Sequence, residues 1–399
     1  MAADNLLYNM KLFRLFMALI TIAFALILPT NRSDHYPSKR QLTLSKYWKQ
    51  SAVPKDSAKT ASPKKRTQTN DTITIVGVGD LMLGTNYPHK YLIPPNNGKD
   101  LMADVTPLIR QADVAFGNLA SPVLNKGGKR KYCRDSTHCF AFRTPEAVAQ
   151  NVIDSGFDVL NIGNNHINDF GKAGIVNTLQ FLRKNRIPHA GLDSIPYTIF
   201  EKKGIRYGFA AFTPYDTITI NMHDRSRVSR IIQHLNQHTD IVIVSVRAGG
   251  EGSAYQQLTK QPEHFAGEDR GNIYAFAHFA IDQGADIIFG HGPHVSRAIE
   301  VYKKRFIAYS LGNFCTYSGI YRKGVSGIAP IARVMVNPQG EFLMAQLVST
   351  RQLRNGKVVI DAKQQVLKII KRLTKLAFPK STLHIDDKGW VSLLTTPQK

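Results

Sequence analysis

Between residues 71 and 350, short apolar runs alternate with longer segments that have helical spacing of apolar residues. The first apolar run is 72–78 (TITIVGV), and it ends at Gly79-Asp80. Similar runs that we predict as strands occupy 112–117, 157–162, 205–212, 240–246 and 285–289. Several are apolar throughout, which is typical of strands with helices on both faces. Amphipathic spacing predicts helices over 145–155, 172–185, 225–237 and 272–283. The pattern indicates an α/β fold.

The later part of the chain has a different pattern. Residues 298–302 with 305–310, and 328–336 with 342–350, are spaced like antiparallel hairpins. We therefore expect a mixed sheet region. Residues 361–377 (DAKQQVLKIIKRLTKLA) form a basic amphipathic pattern. We interpret this segment as a helix packed on the domain rather than as a membrane-binding helix.

The N-terminus has the pattern of an export signal. Lys11 and Arg14 precede a run of fourteen residues, 15–28, that only Thr21 interrupts. Because no clear cleavage site follows, a retained membrane anchor is favoured over a cleaved signal, and both remain open. A single N-terminal anchor would place the rest of the chain outside the cytoplasm, in the periplasm or at the cell surface. This location argues against a nucleic-acid partner.

Positively charged residues are concentrated in two segments of the chain. The net charge is +23, with ten cations and two anions in 31–70 and eleven cations and three anions in 351–399. We predict a signal or anchor over 1–30, a basic disordered linker over 31–70, an α/β domain over 71–350 and a basic extension over 351–399. The linker is a simple spacer or a tether for a polyanion. Basic ends favour an acidic partner.

Three cysteines suit an exported protein. Cys133 and Cys139 are close enough in sequence to close a small loop, which would leave Cys315 unpaired. The alternative is a metal pair, but this spacing with only His138 nearby is a weak metal motif. A structural disulfide is the favoured interpretation.

Polar residues follow the predicted strands at their carboxyl ends, where ligands bind in open α/β sheets. Five strand ends contribute to one rim, with these candidates in chain order: Asp80, Asn118, Asn165 with His166, Arg247 with Glu251, and His291 with His294. One histidine after a strand is usually a packing residue. Two histidines aligned with Asp80 and Asn165 favour a shared functional site.

Six motifs occur in order: V-G-D-L-M-L-G (78–84), G-N-L (117–119), F-R-T-P (142–145), N-N-H-x-x-D-x-G (164–171), G-A-D-x-x-x-G-H-G-P-H (284–294) and Y-S-L-G-N-F (309–314). Together they strongly resemble CapA-type proteins of bacterial capsule and poly-γ-glutamate synthesis, which are similar to calcineurin-like metallophosphoesterases. The resemblance covers about 71–320. It implies a four-layer α/β/β/α sandwich of metallophosphoesterase type.

The resemblance also implies site roles. Asp80, Asn165, His291 and His294 match metal-ligand positions, and His166 matches the catalytic histidine that assists the leaving group or holds the reacting anion. We predict Asn118, Arg143, Arg247 and Glu251 as substrate-binding residues. Hard oxygen and imidazole donors suit a divalent ion such as Mn, Zn or Mg.

Three departures bear on the chemistry. Met82 stands where phosphoesterases have a histidine, although methionine is normal for CapA-type proteins. Ala120 replaces the glutamate of the CapA pattern, and Arg247 replaces a histidine. Because arginine has no free lone pair, we expect one metal ion at most. Arg247 could instead receive a carboxylate or phosphate, or simply pair with Glu251.

Three functions follow from these interpretations. The first is a membrane-linked extracytoplasmic accessory protein for synthesis or export of an anionic capsule polymer such as poly-γ-glutamate. Its expected partners are the polymer, the membrane and capsule-synthesis membrane proteins. The second is a metal-dependent envelope hydrolase or phosphoesterase. The third is a degenerate pseudoenzyme that only binds an anion.

Overall fold

A computed structural model describes residues 72–132, 139–215, 218–317 and 321–394. They belong to a compact unit from Gln68 to Lys399, and a separate unit, Met1–Thr67, lies outside the described residues. The predicted anchor at 1–30 and linker at 31–70 therefore also lie outside them, as does Cys133. In the described part of the chain, no helix combines the length and the apolar character needed to cross a membrane.

Ten strands form the first sheet: β1 Ile73–Met82, β2 Val114–Leu119, β3 Val159–Asn161, β4 His189–Ala190, β13 Asn313–Thr316, β14 Ile328–Val336, β15 Phe342–Gln352, β16 Val358–Ile360, β17 Leu383–Ile385 and β18 Trp390–Leu393. Their order in the sheet is β17-β18-β15-β14-β1-β2-β3-β4, with β13 paired to β1 and β16 to β15. Strands β1 to β4 and β13 are parallel, and β14 to β18 pair antiparallel. The expected mixed sheet is present.

The second sheet has six strands: β5 Tyr197–Lys202, β6 Ile205–Phe212, β7 Ile241–Arg247, β10 Ile287–His291, β11 Ile299–Tyr302 and β12 Arg305–Ala308. Their order in the sheet is β11-β12-β10-β7-β6-β5. A separate two-stranded ribbon consists of β8 His264–Phe265 and β9 Glu268–Asp269. The edge pairs β5–β6 and β11–β12 are antiparallel, and the four inner strands are parallel.

The described part of the chain contains six α-helices: α1 Thr106–Arg110, α2 Glu146–Asp154, α3 Gly171–Lys184, α4 Arg225–His238, α5 Ile273–Asp282 and α6 Gln365–Ala377. Helices α1 to α3 lie in the crossovers between β1 and β4, and they bury apolar residues such as Ile109, Val148 and Leu182. Parallel strands with helical crossovers place these helices on one face of the sheet. Helices α4 and α5 cover the outer face of the second sheet, in a shared apolar cluster.

The inner faces of the two sheets form the central core. Phe116 of β2 stacks on Phe289 of β10, with ring centroids 5.2 Å apart and planes at 7°. Gly77 of β1 makes room for this pair, because a Cβ there would lie 2.4 Å from Phe289 Cε1. The layers are thus helices, sheet, sheet and helices, which confirms the four-layer α/β/β/α fold.

The C-terminal part is built into this sandwich. Strand β15 runs through residue 350, so the predicted domain boundary at 350 falls inside a strand. Strands β16 to β18 extend the first sheet, and α6 buries Val366, Leu367 and Ile370 in the central core. The segment is therefore a structural part of the domain and not an extension of it.

The described cysteines have different states. Cys139 is disulfide-bonded, whereas Cys315 of β13 is a buried free thiol. Burial raises the pKa of the Cys315 thiol to about 12, so the thiolate that reacts with electrophiles is scarce.

Candidate functional site

The candidate site lies at the carboxyl ends of the parallel strands in both sheets. In the first sheet the register aligns Asp80 with Asn118 of β2 and with Asn313 of β13. In the second sheet His291 is the register partner of Arg247, each being the last residue of its strand. Strand order therefore gathers residues that are more than 200 positions apart in the chain.

A close backbone approach brings Asn313 to Asp80. A Cβ at Gly79 would lie only 1.9 Å from the carbonyl oxygen of Gly312, so no other residue fits there without moving the backbone. The Asp80 N–H donates to the same oxygen at 2.9 Å. Glycine at 79 is thus a condition for the geometry of the site.

Asp80 is the buried centre of the site, with 1% of its surface exposed. Its Oδ1 accepts a hydrogen bond from Asn118 Nδ2 at 2.7 Å. His294 Nδ1 lies 2.8 Å from Asp80 Oδ2, and His291 Nδ1 lies 3.4 Å from Oδ1. Burial opposes ionisation of Asp80, but the two histidines outweigh it and hold its pKa far below the usual range. Asp80 is therefore an anion.

His294 is held in a strained conformation. Its φ is 58°, in the left-handed region that non-glycine residues seldom adopt. Its Nδ1 also lies within hydrogen-bond distance of Asn313 Oδ1, at 3.0 Å. Burial would lower the pKa of His294, but Asp80 and then Glu251 raise it above its ordinary value. Strain of about 1–3 kcal/mol persists where surrounding contacts over-determine a residue, as they do here.

His166 lies on the loop after β3 and is oriented by Asp169. His166 Nδ1 is 2.8 Å from Asp169 Oδ2, which also accepts the Phe142 N–H at 2.8 Å. Lys131 pairs with the other carboxylate oxygen. Burial outweighs Asp169 and lowers the pKa of His166. The neutral ring donates from Nδ1 and keeps a lone pair on Nε2.

Two buried arginines share one glutamate. Arg247 Nη2 and Arg270 Nη1 donate to Glu251 Oε1 at 2.7 and 2.9 Å. Both also approach the Tyr215 hydroxyl, at 3.4 Å from Arg247 Nε and 2.7 Å from Arg270 Nη1. Burial would raise the pKa of Glu251, but Arg247, His294 and Arg270 lower it to about 2. The predicted Arg247–Glu251 pair is present, and Arg270 completes it.

Three buried polar atoms of predicted site residues have no partner within the described residues: Asn118 Oδ1, Asn165 Oδ1 and His291 Nε2. Asp80 Oδ2 and His291 Nδ1 make only the ion-pair contacts given above. Buried polar atoms are normally paired, and these are the donor types that divalent ions bind. A single ion would fit this donor set. However, the described residues contain no group of three or more His, Cys, Asp or Glu side chains arranged around a metal, so amide oxygens would be needed.

The neighbouring side of the site is apolar. Met82, Ala120 and Phe142 form a small buried cluster, and the Phe142 ring lies 4.6 Å from the His166 ring. Two of the three departures in the sequence, Met82 and Ala120, therefore pack against each other.

A cavity of about 530 Å³ opens onto these groups. Its polar lining consists of seven side chains: His166, Glu251, Ser253, His294, Asn313, Lys323 and Ser326. Four aromatic rings line it as well: Phe140, Phe142, Phe265 and Tyr321. Arg247 and Arg270 are not among its lining residues, whereas Glu251, to which both are bonded, is.

Arg143 lies apart from this cluster. Its Nε donates to Asn86 Oδ1 at 2.6 Å and its Nη1 to the carbonyl of Gly127 at 2.8 Å. Its guanidinium also lies 4.8 Å from the centre of the Phe170 ring. The donors of Arg143 therefore hold a loop together instead of facing the cavity.

Four residues at the site were not predicted as site residues. Asn313 and Asp169 belong to motifs 309–314 and 164–171, so a motif signal for them existed. Tyr215 and Arg270 come from long loops, and nothing in their local sequence indicates that they meet Arg247.

The four-layer architecture, with polar side chains gathered at the strand ends, defines a two-sheet α/β sandwich protein. The chain belongs to a bacterial capsule family: residues 74–318 match the family model described as "Bacterial capsule synthesis protein PGA_cap". The CapA-type resemblance of the motifs is thereby confirmed, and so is a capsule-related function.

Two relatives carry capsule names. The "PGA biosynthesis protein CapA" of Bacillus subtilis (strain 168) is 29% identical over 338 residues, 79% of this chain and 82% of the relative. The "Capsule biosynthesis protein CapA" of Bacillus anthracis is 26% identical over 264 residues, 61% of this chain. The chain spans about three fifths (60%) of that relative's length.

Among solved structures, a phosphatase from Mycoplasma pneumoniae aligns with 74% of this chain and 96% of its own, at 15% identity and a TM-score of 0.43. Similarity at this level says nothing about the activity of the present protein.

Proposed function

We propose that this protein is an accessory protein that binds and guides an anionic capsule polymer of the poly-γ-glutamate type during its synthesis or export. It acts outside the cytoplasm, is linked to the membrane by its N-terminal apolar run, and works with membrane proteins of capsule synthesis. The match of residues 74–318 to the capsule synthesis family is the observation that carries the proposal.

Exposed cations supply a physical reason for an acidic partner. The outer face of α6 presents Lys368, Lys371, Arg372 and Lys375, all exposed. Lys371 pairs with Asp387 at 2.8 Å. A polycarboxylate chain can contact several such cations at once, and each exposed contact contributes a few tenths of a kcal/mol.

Binding of the purified chain to poly-γ-glutamate tests the proposal. We expect the affinity to fall steeply with added salt, because the screening length shrinks from about 10 Å at 0.1 M to about 3 Å at 1 M. Reversing three charges with Lys368→Glu, Arg372→Glu and Lys375→Glu is expected to weaken binding on the order of tenfold.

Lys203→Glu with Lys303→Glu is the matched control. These exposed lysines are already paired, Lys203 with Asp113 and Lys303 with Asp282, each at 2.7 Å. Binding that is independent of salt, or equally weakened by the control variant, would reject a polyanion held by α6.

The proposed location has its own test. Because Lys11 and Arg14 precede the apolar run at 15–28, a reporter fused after residue 70 should be active only outside the cytoplasm. Cytoplasmic activity of the fusion would reject the extracytoplasmic location while leaving the polymer-binding experiment unaffected.

A metal-dependent hydrolase is a second candidate, favoured by the unpaired donor atoms around Asp80. Asp80, Asn165, His291 and His294 would hold the ion. A bound divalent ion would polarise a phosphoryl or carbonyl oxygen and make a bound water more acidic. His166, with Nδ1 bonded to Asp169, can move a proton at Nε2 towards the cavity. Turnover of a phosphoester that disappears in Asp80→Asn would favour this candidate over the first.

A further inference from the structure

We propose that Arg247 and Arg270, both bonded to the Tyr215 hydroxyl, form a binding site for a carboxylate group, and that Glu251 is a resident carboxylate that an external ligand displaces. The inference rests on the proposed function only for the source of that ligand, the acidic polymer.

The donors converge on one point. Arg247 Nη2 and Arg270 Nη1 reach the same oxygen, Glu251 Oε1, at 2.7 and 2.9 Å. The planar guanidinium group of arginine can donate hydrogen bonds to the oxygens of a carboxylate. Such charge-assisted hydrogen bonds are among the strongest in proteins. The Tyr215 hydroxyl accepts from Arg270 Nη1 at 2.7 Å and from Arg247 Nε at 3.4 Å, and so helps to orient the two guanidinium groups. The set is thus organised to hold one anionic oxygen.

Burial makes an anion necessary at this point. Arg247 is 2% exposed and Arg270 is 7% exposed. A buried cation that loses its only nearby anion is strongly destabilising. Arg270 has a second acidic partner, Glu268, at 3.1 Å on its other side. For Arg247, the hydrogen-bonded anion is Glu251.

The Glu251 side chain borders the cavity, so an incoming carboxylate that takes over its two hydrogen bonds can replace it while the backbone stays fixed. Its side chain is 25% exposed at the cavity, and its Oε2 lies no closer than 3.8 Å to His294 Nε2. The Gly250 N–H donates to Glu263 Oε2 at 2.9 Å, and the Gly252 N–H donates to the Pro293 carbonyl at 2.9 Å. Displacement therefore requires rotation of one side chain and no opening of the loop.

Glu263 explains why this loop stays in place. Arg297 donates two hydrogen bonds to the Glu263 carboxylate, from Nη1 to Oε1 at 2.8 Å and from Nη2 to Oε2 at 2.7 Å. Arg297 is fully buried. This pair anchors Gly250 next to the arginines. The resident glutamate therefore sits on a rigid support, and an incoming carboxylate meets preformed donors.

The ligand class is a carboxylate on a flexible chain. The resident group is itself the carboxylate of a glutamate, and each unit of a poly-γ-glutamate chain carries one free carboxylate of similar size. The adjoining cavity of about 530 Å³ has room for neighbouring atoms of such a chain.

Chemical rescue of Glu251→Ala tests the site. This variant of the full chain should melt below the wild type, because two buried arginines lose their shared anion. Sodium acetate or glutarate should raise its Tm by about 2–4 °C at concentrations near 100 times Kd, compared with sodium chloride at equal ionic strength. The wild type should show a smaller carboxylate-specific rise than Glu251→Ala, since the ligand must first displace Glu251.

Glu268→Ala is the matched control, because it removes a partner of Arg270 that lies outside the shared oxygen site. It should show no carboxylate-specific rise in Tm. If Glu251→Ala does not fold, Glu251→Gln keeps the side-chain volume and should show a smaller but specific rise.

The outcomes separate the two proposals. No carboxylate-specific shift in the folded Glu251 variant overturns the site, and so does an equal shift in Glu268→Ala. A larger shift with phosphate than with acetate overturns the carboxylate assignment. Rescue by acetate in a chain that fails to bind poly-γ-glutamate supports the site and rejects the polymer.

Discussion

At the scale of single residues, three positions decide how much metal the site can hold. Met82 and Ala120 pack against Phe142 in an apolar cluster. Arg247 is the register neighbour of His291, so a permanent cation stands next to a candidate ligand. A unit positive charge about 4 Å from a divalent ion costs roughly 8 kcal/mol at an effective dielectric near 20. Glu251 offsets part of this cost by pairing with Arg247.

We therefore expect at most one divalent ion per chain. Equilibrium dialysis with Mn²⁺ or Zn²⁺, followed by elemental analysis, measures the stoichiometry. Asp80→Asn should weaken binding by about 100-fold or more, since even outer-shell partners of a metal are worth about 10–100-fold. Asp361→Asn is the control, because Asp361 is equally buried but caps the backbone before α6. Two ions in the wild type, or full retention in Asp80→Asn, would contradict the expectation.

The sequence predicts part of this site well. The rule that ligands gather at the carboxyl ends of parallel strands selects Asp80, Asn118, Arg247 and His291. The register pairs Asp80 with Asn118 in the first sheet and Arg247 with His291 in the second, and Asp80 and His291 meet across the two sheets. Arg270 follows the β8–β9 ribbon, and its contact with Glu251 depends on how that loop folds back. No local pattern encodes such a contact. Arg143 is an example of the opposite kind. It belongs to a motif and is predicted to bind substrate, but its hydrogen bonds go to Asn86 and to the Gly127 carbonyl of a neighbouring loop.

At the scale of elements, periodicity predicts those with strong local signals. The apolar runs at 205–212 and 240–246 became β6 and β7, and the helical pattern at 172–185 became α3. Both hairpins that the spacing indicates are antiparallel pairs. These elements are long or fully buried, so their burial pattern appears in the sequence.

Elements without a prediction are short or lie at edges. Strand β5 is an edge strand with no fully buried residue, and its sequence YTIFEK does not alternate regularly between apolar and polar residues. Strand β13 has four residues and exists because β1 offers it a parallel partner beyond Gly79. Strands β16 to β18 have three or four residues each. Pairing with a distant strand, rather than intrinsic propensity, defines such elements.

At the scale of the whole molecule, the basic C-terminal segment has two roles. Its apolar residues complete the core, while its cations face solvent. Helix α6 buries Val366, Leu367 and Ile370 between the sheets and exposes Lys368 and Arg372. Charge and folding are thus linked in one segment, and deleting it would not isolate the effect of charge.

Truncation after residue 350 is therefore expected to unfold the domain. It removes Val366, Leu367, Ile370, Ile385 and Val391 from the central core, each at most 4% exposed. At about 1.5–3 kcal/mol for each buried aliphatic side chain, the loss is comparable with the whole stability of a domain, about 5–15 kcal/mol. Thermal melting followed by circular dichroism should show no cooperative transition.

The charge-reversal variant Lys368→Glu with Arg372→Glu should melt within a few degrees of the wild type, because both side chains are exposed and surface charges contribute about 0–1 kcal/mol each. A truncated chain that melts cooperatively near the wild-type Tm would show that residues 351–394 are an independent extension after all.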